Sequence, residues 1–234
     1  MKILAIDSSG LVASAALVEE DRILAEFNVN NKKTHSQTLL PMIDQLKGIL
    51  GLEMNQIDAV AVSKGPGSFT GLRIGSATAK GIALALEKPI IEISSLEAMA
   101  YQCFGAEKLI CPIMDARRNQ VYTALFSWEN DQFKRVWEDA PLPIEELAAG
   151  LNALGKDVIF LGDGVPVYEQ TLKEILQLSY SKAPAFMNRQ RAAALGILAL
   201  EYAAKGEMVD SDMHRPEYLR LSQAERERLE KNNG

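Results

Sequence analysis

Cysteine and histidine are scarce in this chain, with two of each in 234 residues. Cys103 and Cys111 form no C-x-x-C pair and have no histidine beside them, which excludes a zinc knuckle or a dithiol redox motif. Free thiols of this kind fit a reducing compartment. His35 is followed four residues later by Leu39, and the other histidine, His214, stands far away, so no two histidines share a helix face for a metal. The same scarcity leaves Thr34, Ser36 and Ser68 without a histidine and acid to activate them, and peptidase chemistry has no support. No apolar run approaches the roughly 18 residues a membrane span requires. In the opening MKILAIDSSG, Asp7 breaks the apolar stretch too early for a signal peptide. The expectation is a soluble, cytoplasmic protein with no membrane contact. Basic residues are also short, 25 against 31 acidic ones. Phosphate affinity comes mainly from Lys and Arg, so contact with tRNA is expected only through a complex.

The apolar pattern supplies the elements. Residues 2–7, 12–18 and 22–29 read as strands joined by turns at Gly10 and at EEDR. From His35 the period becomes helical, with Leu39, Ile43, Leu46 and Leu50 on one face. Thr38 is placed as its cap, with Pro41 in the first turn, where a missing N–H costs little. Residues 57–63 read as a strand, 72–86 as a helix, KPIIEIS as a strand and 95–104 as a helix. The order then restarts with strands at 109–115, 120–127 and 132–139, a helix in IEELAAGL, a strand at 157–162 and a helix over 166–177. The segment 191–206 is apolar nearly all round and reads as a helix buried between layers.

Three strands, a helix, a strand and a helix, twice over, describe two similar lobes. In each half an aspartate, Asp7 or Asp115, ends an apolar strand and opens a turn, and SAAL (14–17) and YTAL (122–125) follow at equal distances. The expected class is α/β, with the actin-like ATPase (ASKHA, ribonuclease H-like) fold and two lobes related by duplication. The first lobe spans 1–106 and is completed by the helix at 190–206. The second spans 107–189, and 207–234 is a C-terminal tail, whose last part, SQAERERLEKNNG, is charged and solvated. Proteins of this fold place a small-residue turn after an Asp on the phosphates in each lobe. Asp7-Ser8-Ser9-Gly10 meets part of that requirement. Asp115-Ala116-Arg117-Arg118 does not, because two long side chains stand where small residues are needed. Gly162 and Gly164 resemble the turn on the adenosine side. Asp7, Ser8, Ser9, Asp115, Gly162 and Gly164 are therefore a remnant nucleotide site, with turn formation at strand ends the plainer role of both aspartates.

The stretch KGPGSFTGLRIG, residues 64–75, has the look of a phosphate loop. Its spacing departs from both common forms. Leu72 stands where a Walker lysine must follow the last glycine, and Thr70 stands where a dinucleotide fingerprint needs glycine. Arg73, near a helix N-terminus, is the only remaining feature suited to an anion. Gly71, Gly75, Ala79 and Ala83 recur every four residues and so share one helix face. A stripe this small allows close approach of another helix, either within the chain or across a subunit interface.

ILAIDSS at the start, HSQTLLPMID (35–44), VSKGPGSFTGLRIGSATAKGIA (62–83), MDARRNQVYTALF (114–126) and RPEYLR (215–220) run in an order that resembles the TsaB (YeaZ) family of glycoprotease-like proteins. The resemblance covers nearly the whole chain. It implies a non-catalytic subunit that binds and stabilises a catalytic subunit, TsaD, and acts with an ATPase, TsaE. Together these transfer a threonylcarbamoyl group to the adenosine next to the anticodon in tRNAs reading A-starting codons. It also implies a homodimer in isolation, no activity and no cofactor for this chain alone, and ATP or ADP only at the level of the complex. On this basis the partner interface is expected at Leu39, Met42, Ile43, Leu46, Gly71, Leu72, Gly75, Ala79 and Ala83. The competing reading from the cleft residues is an ATP-dependent small-molecule kinase or ATPase of the same fold.

Overall fold

Two five-stranded sheets carry the chain in a computed structural model that describes residues 1–31 and 34–220. The first contains β1 (Lys2–Asp7), β2 (Ala13–Glu19), β3 (Arg22–Val29), β4 (Ala59–Gly65) and β5 (Ile90–Ser94), in the order β3-β2-β1-β4-β5. The second contains β6 (Leu109–Asp115), β7 (Gln120–Glu129), β8 (Gln132–Pro143), β9 (Val158–Leu161) and β10 (Tyr180–Lys182), in the order β10-β9-β6-β7-β8. Element for element these orders match, and so do the directions. In each sheet the first three strands pair antiparallel, and the fourth and fifth join the first in parallel. This is the two-lobed actin-like architecture the sequence pattern predicted. The short strand β10 carries too weak a signal in three residues to be read from sequence.

The repeat is offset by one residue from the sequence alignment. Asp7 pairs with Ser14, seven residues on, whereas Asp115 pairs with Val121, six on. The turn of the second lobe is one residue shorter, so SAAL and YTAL are not in register. It closes through three successive left-handed residues, Arg117, Arg118 and Asn119, a conformation that is sterically unfavourable with a side chain.

Among the described residues, six α-helices cover the four sheet faces. α1 (His35–Leu50) and α2 (Phe69–Leu86) cover one face of the first sheet, where Leu39, Leu46 and Ala79 pack with Leu4, Ile6 and Val62. α4 (Ile144–Leu154) and α5 (Gly164–Ile175) cover one face of the second. The remaining faces are covered by exchange. α3 (Ser95–Tyr101) follows the first sheet but packs through Leu96 and Met99 on Ile110, Met114 and Phe126 of the second. α6 (Ala192–Ala204) follows the second sheet but packs through Leu195 and Leu198 in one cluster with Ile3, Ala5 and Val18 of the first. Glu97 of α3 joins the exchanged parts. It accepts hydrogen bonds from Tyr202 of α6 (2.9 and 3.0 Å) and pairs with Arg135 of β8 (2.6 Å).

Residues 207–220 form a strap rather than a loose tail. Val209 pairs with Ile90 at the edge of β5, and His214, fully buried, meets Glu92 at 2.5 Å. That hydrogen bond holds the Glu92 carboxyl below its ordinary range. Glu217 pairs with Lys64 (3.2 Å), and the Tyr218 ring packs against Phe69 at a tilt, with centroids 4.6 Å apart. Arg220 reaches the second lobe and donates to the carbonyl of Ala116. SQAERERLEKNNG lies outside the described residues.

Two expectations need correction. The cap of α1 is Thr34, not Thr38, and Pro41 lies inside the helix instead of in its first turn. More consequentially, all nine residues expected at a partner interface lie inside the chain's own core. Leu39, Met42, Ile43 and Leu46 are buried on α1, as are Gly71, Leu72, Gly75, Ala79 and Ala83 on α2. The small-residue stripe serves an internal approach. A Cβ at Gly71 would stand 2.1 Å from the Ser8 carbonyl oxygen, and one at Gly75 would stand 2.5 Å from Ser8 Oγ.

The same substitution on the two sides of α2 therefore has opposite consequences. Gly71→Ala collides with backbone and is expected to destabilise by about 3 kcal/mol. Gly81→Ala meets nothing within 4 Å and is expected to stabilise by about 1 kcal/mol through helix propensity. Guanidinium melts of both variants check the signs.

Candidate functional site

The lobes enclose a cleft of about 450 Å³. Ser9, Gly10, His35, Ser68, Thr70 and Gly71 line it from the first lobe, and Asp115, Ala116, Arg117 and Asp163 from the second. The predicted remnant nucleotide residues divide unequally around it. Ser9 and Asp115 reach the cleft. Ser8 is buried and donates its hydroxyl to the Gly71 carbonyl (2.8 Å). Gly162 lies beneath the end of β6, where an added Cβ would meet the Ile113 carbonyl oxygen at 2.1 Å. Its left-handed φ of 105° and that close approach both require glycine.

Asp7 is fully buried. Its Oδ1 accepts from the Ser9 N–H (2.8 Å) and the Ser9 hydroxyl (2.7 Å), while its Oδ2 has no partner. Burial pushes its carboxyl up to about 6, against the opposing pull of the Ser9 bonds and of His35. His35 in turn places Nε2 2.8 Å from the Gly10 carbonyl oxygen, tying the start of α1 to the turn after β1.

Asp115 makes the same kind of turn. Its Oδ1 accepts from the Arg117 N–H (2.8 Å) and the Tyr168 hydroxyl (3.1 Å), and Arg117 closes an ion pair at 3.2 Å. Asp163, just before α5, accepts the Asp115 N–H at 3.2 Å, and burial raises its carboxyl above the ordinary range. Burial and the Asp115 carboxylate together push the Tyr168 phenol up to about 12. The sequence pattern singles out Gly162 and Gly164 but not Asp163 between them. Nor does anything local in the sequence link Tyr168 or Arg220 to the Asp115 turn.

A phosphate loop must offer free backbone N–H groups. In both lobes key groups are already engaged. The Ser9 N–H goes to Asp7 and the Arg117 N–H to Asp115. In the glycine loop, Ser68 N–H donates to the Ser9 carbonyl (2.7 Å), and Gly71 N–H to the Ser68 hydroxyl (3.3 Å). The glycines let the loop lie against the β1–β2 turn, since a Cβ at Gly67 would stand 2.2 Å from the Ser9 carbonyl oxygen. With Arg117 also on Asp115, the residues present do not fit a triphosphate and its metal. Among the described residues no group of three or more His, Cys, Asp or Glu side chains is placed to hold a metal ion.

Fold and site together define an actin-like two-lobed protein whose paired aspartates close turns. Comparison with known proteins narrows this class. The family model "TsaD: tRNA N6-adenosine threonylcarbamoyltransferase" matches residues 22–228. The tRNA threonylcarbamoyladenosine biosynthesis protein TsaB of Bacillus subtilis (strain 168) is 34% identical over 98% of this chain and 99% of its own. The solved YeaZ of Pseudomonas aeruginosa superposes with a TM-score of 0.80 at 29% identity, covering 93% of this chain and 99% of that one. The (R)-2-hydroxyglutaryl-CoA dehydratase component A of Acidaminococcus fermentans shares the fold alone, with a TM-score of 0.50 at 12% identity over 87% of this chain and 99% of that one. The chain belongs to the TsaB (YeaZ) family of tRNA threonylcarbamoyladenosine biosynthesis proteins.

Asp7 sets a pH dependence. Its folded pKa, about 6, lies above the ordinary 3.8, so the folded chain holds this proton more tightly than the unfolded one. Its stabilising contribution is full below about pH 4 and is lost as pH rises through 6. At pH 8 that loss amounts to about 3 kcal/mol. Asp7→Asn is expected to raise the guanidinium midpoint at pH 8, and the gain shrinks at pH 5.

Proposed function

We propose that this chain is a non-catalytic subunit that binds and stabilises TsaD and acts with the TsaE ATPase. The complex would transfer a threonylcarbamoyl group to the adenosine next to the anticodon of tRNAs reading A-starting codons. The observation that carries this reading is the solvent face of the α1–α2 layer. Leu40 and Ile49 of α1 are 56% and 71% exposed, and Leu84 of α2 is 70% exposed. α2 also presents a second small-residue row, Ala77, Gly81 and Ala85, four residues apart and exposed. Small residues at this spacing let a facing helix come close, and Leu84 beside the row supplies apolar area. The interface is thereby moved from the inner stripe of α2 to the outer one. In the absence of a partner, a second copy of the chain is the expected occupant, and the proposed site of action is the cytoplasm.

ATP or ADP enters this proposal at the level of the complex. A small-molecule kinase or ATPase reading has less support, because the turn N–H groups at Ser9 and Arg117 are already engaged by the two aspartates.

Ile49→Glu and Leu84→Glu, both on exposed side chains, are expected to leave the melting temperature within a few degrees. Each should weaken association with a TsaD homologue from the same organism by tenfold or more, as a buried unpaired charge does at an interface. Co-purification and analytical ultracentrifugation read the result. Unchanged association of the folded double variant would remove the face from consideration. Failure of the parent to bind any TsaD homologue, with or without nucleotide, would remove the function.

A further inference from the structure

The strap runs beside α2 in the reverse direction. At the helix start, Arg73 Nε donates to the Tyr218 hydroxyl (3.3 Å). Further along, Lys80 Nζ donates to the carbonyls of Asp212 (3.3 Å) and His214 (3.2 Å). Arg73, Lys80 and Leu84 stand seven and four residues apart and so share one side of α2. The outer layer of the first lobe is thus built from α1, α2 and the strap.

The strap backbone is fixed along its length. Val209 pairs with Ile90, the buried His214 meets Glu92, and the Glu217 N–H donates to the Lys64 carbonyl (2.7 Å). Gly65 admits this last approach, since a Cβ there would stand 2.4 Å from the Glu217 carbonyl oxygen. The outer side chains of the strap are therefore presented on an ordered support, which lowers the cost of binding.

Met213 lies between the two residues whose carbonyls hold Lys80, and it is 67% exposed. A lone exposed methionine is ordinary. This one shares a surface with an oriented cation. The Arg73 guanidinium lies over the Phe69 ring, 3.9 Å from its centroid, and its Nε is committed to Tyr218. The remaining N–H donors sit on the two Nη groups. Among the described residues no carboxylate pairs with them. Glu217, beside Tyr218 in the strap, is taken by Lys64 at 3.2 Å.

Arg, Tyr and Met are enriched at protein interfaces, and Arg and Tyr carry much of the binding energy there. A planar guanidinium already fixed on a ring loses little freedom when a carboxylate arrives. We infer that the strap is part of the docking surface. A carboxylate of the bound subunit pairs with Arg73, and an apolar side chain of it covers Met213. The inference rests on the reading of the α1–α2 face as the site for a TsaD homologue. It adds the chemistry required of that partner, acidic opposite the start of α2 and apolar opposite Met213.

The test measures association of the full chain with a TsaD homologue from the same organism by calorimetry, with a melting curve for every variant. Met213→Glu and Arg73→Ala are each expected to weaken association about tenfold or more while the chain stays folded. Arg73→Lys should recover little, because lysine keeps the charge and loses the fork. Tyr218→Phe breaks the same strap hydrogen bond but keeps the guanidinium. A smaller loss in Tyr218→Phe than in Arg73→Ala assigns the effect to contact with the partner, and an equal loss overturns the carboxylate pairing. Parent-like affinity of both Met213→Glu and Arg73→Ala, with Leu84→Glu impaired, overturns the inference and leaves the α1–α2 face standing. Loss in both of them with Leu84→Glu unaffected supports the strap and removes the α1–α2 face. A parent chain that binds no TsaD homologue overturns both.

Discussion

Each lobe of this protein depends on a helix supplied by the other half of the chain. A five-stranded sheet with two apolar faces cannot leave one of them in water. The helices on the first face of each sheet, α1 with α2 and α4 with α5, are local in sequence. The second faces are closed by α3 and α6, exchanged between the lobes. Separating the lobes would uncover two apolar layers at once. Glu97 reinforces the exchange by accepting from both Tyr202 and Arg135, while the strap from 207 to 220 ties the start of α2 to the turn of the second lobe. The cleft inherits its shape from this arrangement.

Within that frame the two cleft aspartates serve construction. Both aspartates accept the backbone N–H two residues on, and each turn stiffens a strand end. The glycine loop sits close to Ser8 and Ser9 because Gly67 and Gly71 carry no side chain. An unpaired Oδ2 on a fully buried Asp7 is a costly feature of the first-lobe turn. It is tolerated through a raised pKa, which lets the carboxyl stay neutral in mildly acidic conditions.

α2 shows why a stripe of small residues does not by itself define an interface. It carries two such rows. Gly71, Gly75, Ala79 and Ala83 face the core, and Ala77, Gly81 and Ala85 face solvent. Both satisfy the same steric rule. Only the position of the sheet decides which row is buried and which faces solvent.

The order of strands and helices was legible in the sequence because hydrophobic period is local, and β1, β6 and α6 follow it closely. The two-lobed fold and the family followed from that order together with the motifs around Asp7, Gly71 and Asp115. The one-residue offset between the lobes was not legible, because strand register depends on the left-handed turn at Arg117–Asn119. The exchange of α3 and α6 was only half visible. An all-apolar helix announces burial without naming the sheet that buries it. The neighbours of Asp115, namely Tyr168, Asp163 and Arg220, come from distant parts of the chain. The sequence by itself determined which residues avoid water and where the backbone must bend, since both are properties of single residues and their near neighbours. Tertiary structure alone decided which face of α2 is inside and that Asp7 Oδ2 remains unpaired, because both depend on what lies across a gap of a few ångströms between segments far apart in the chain.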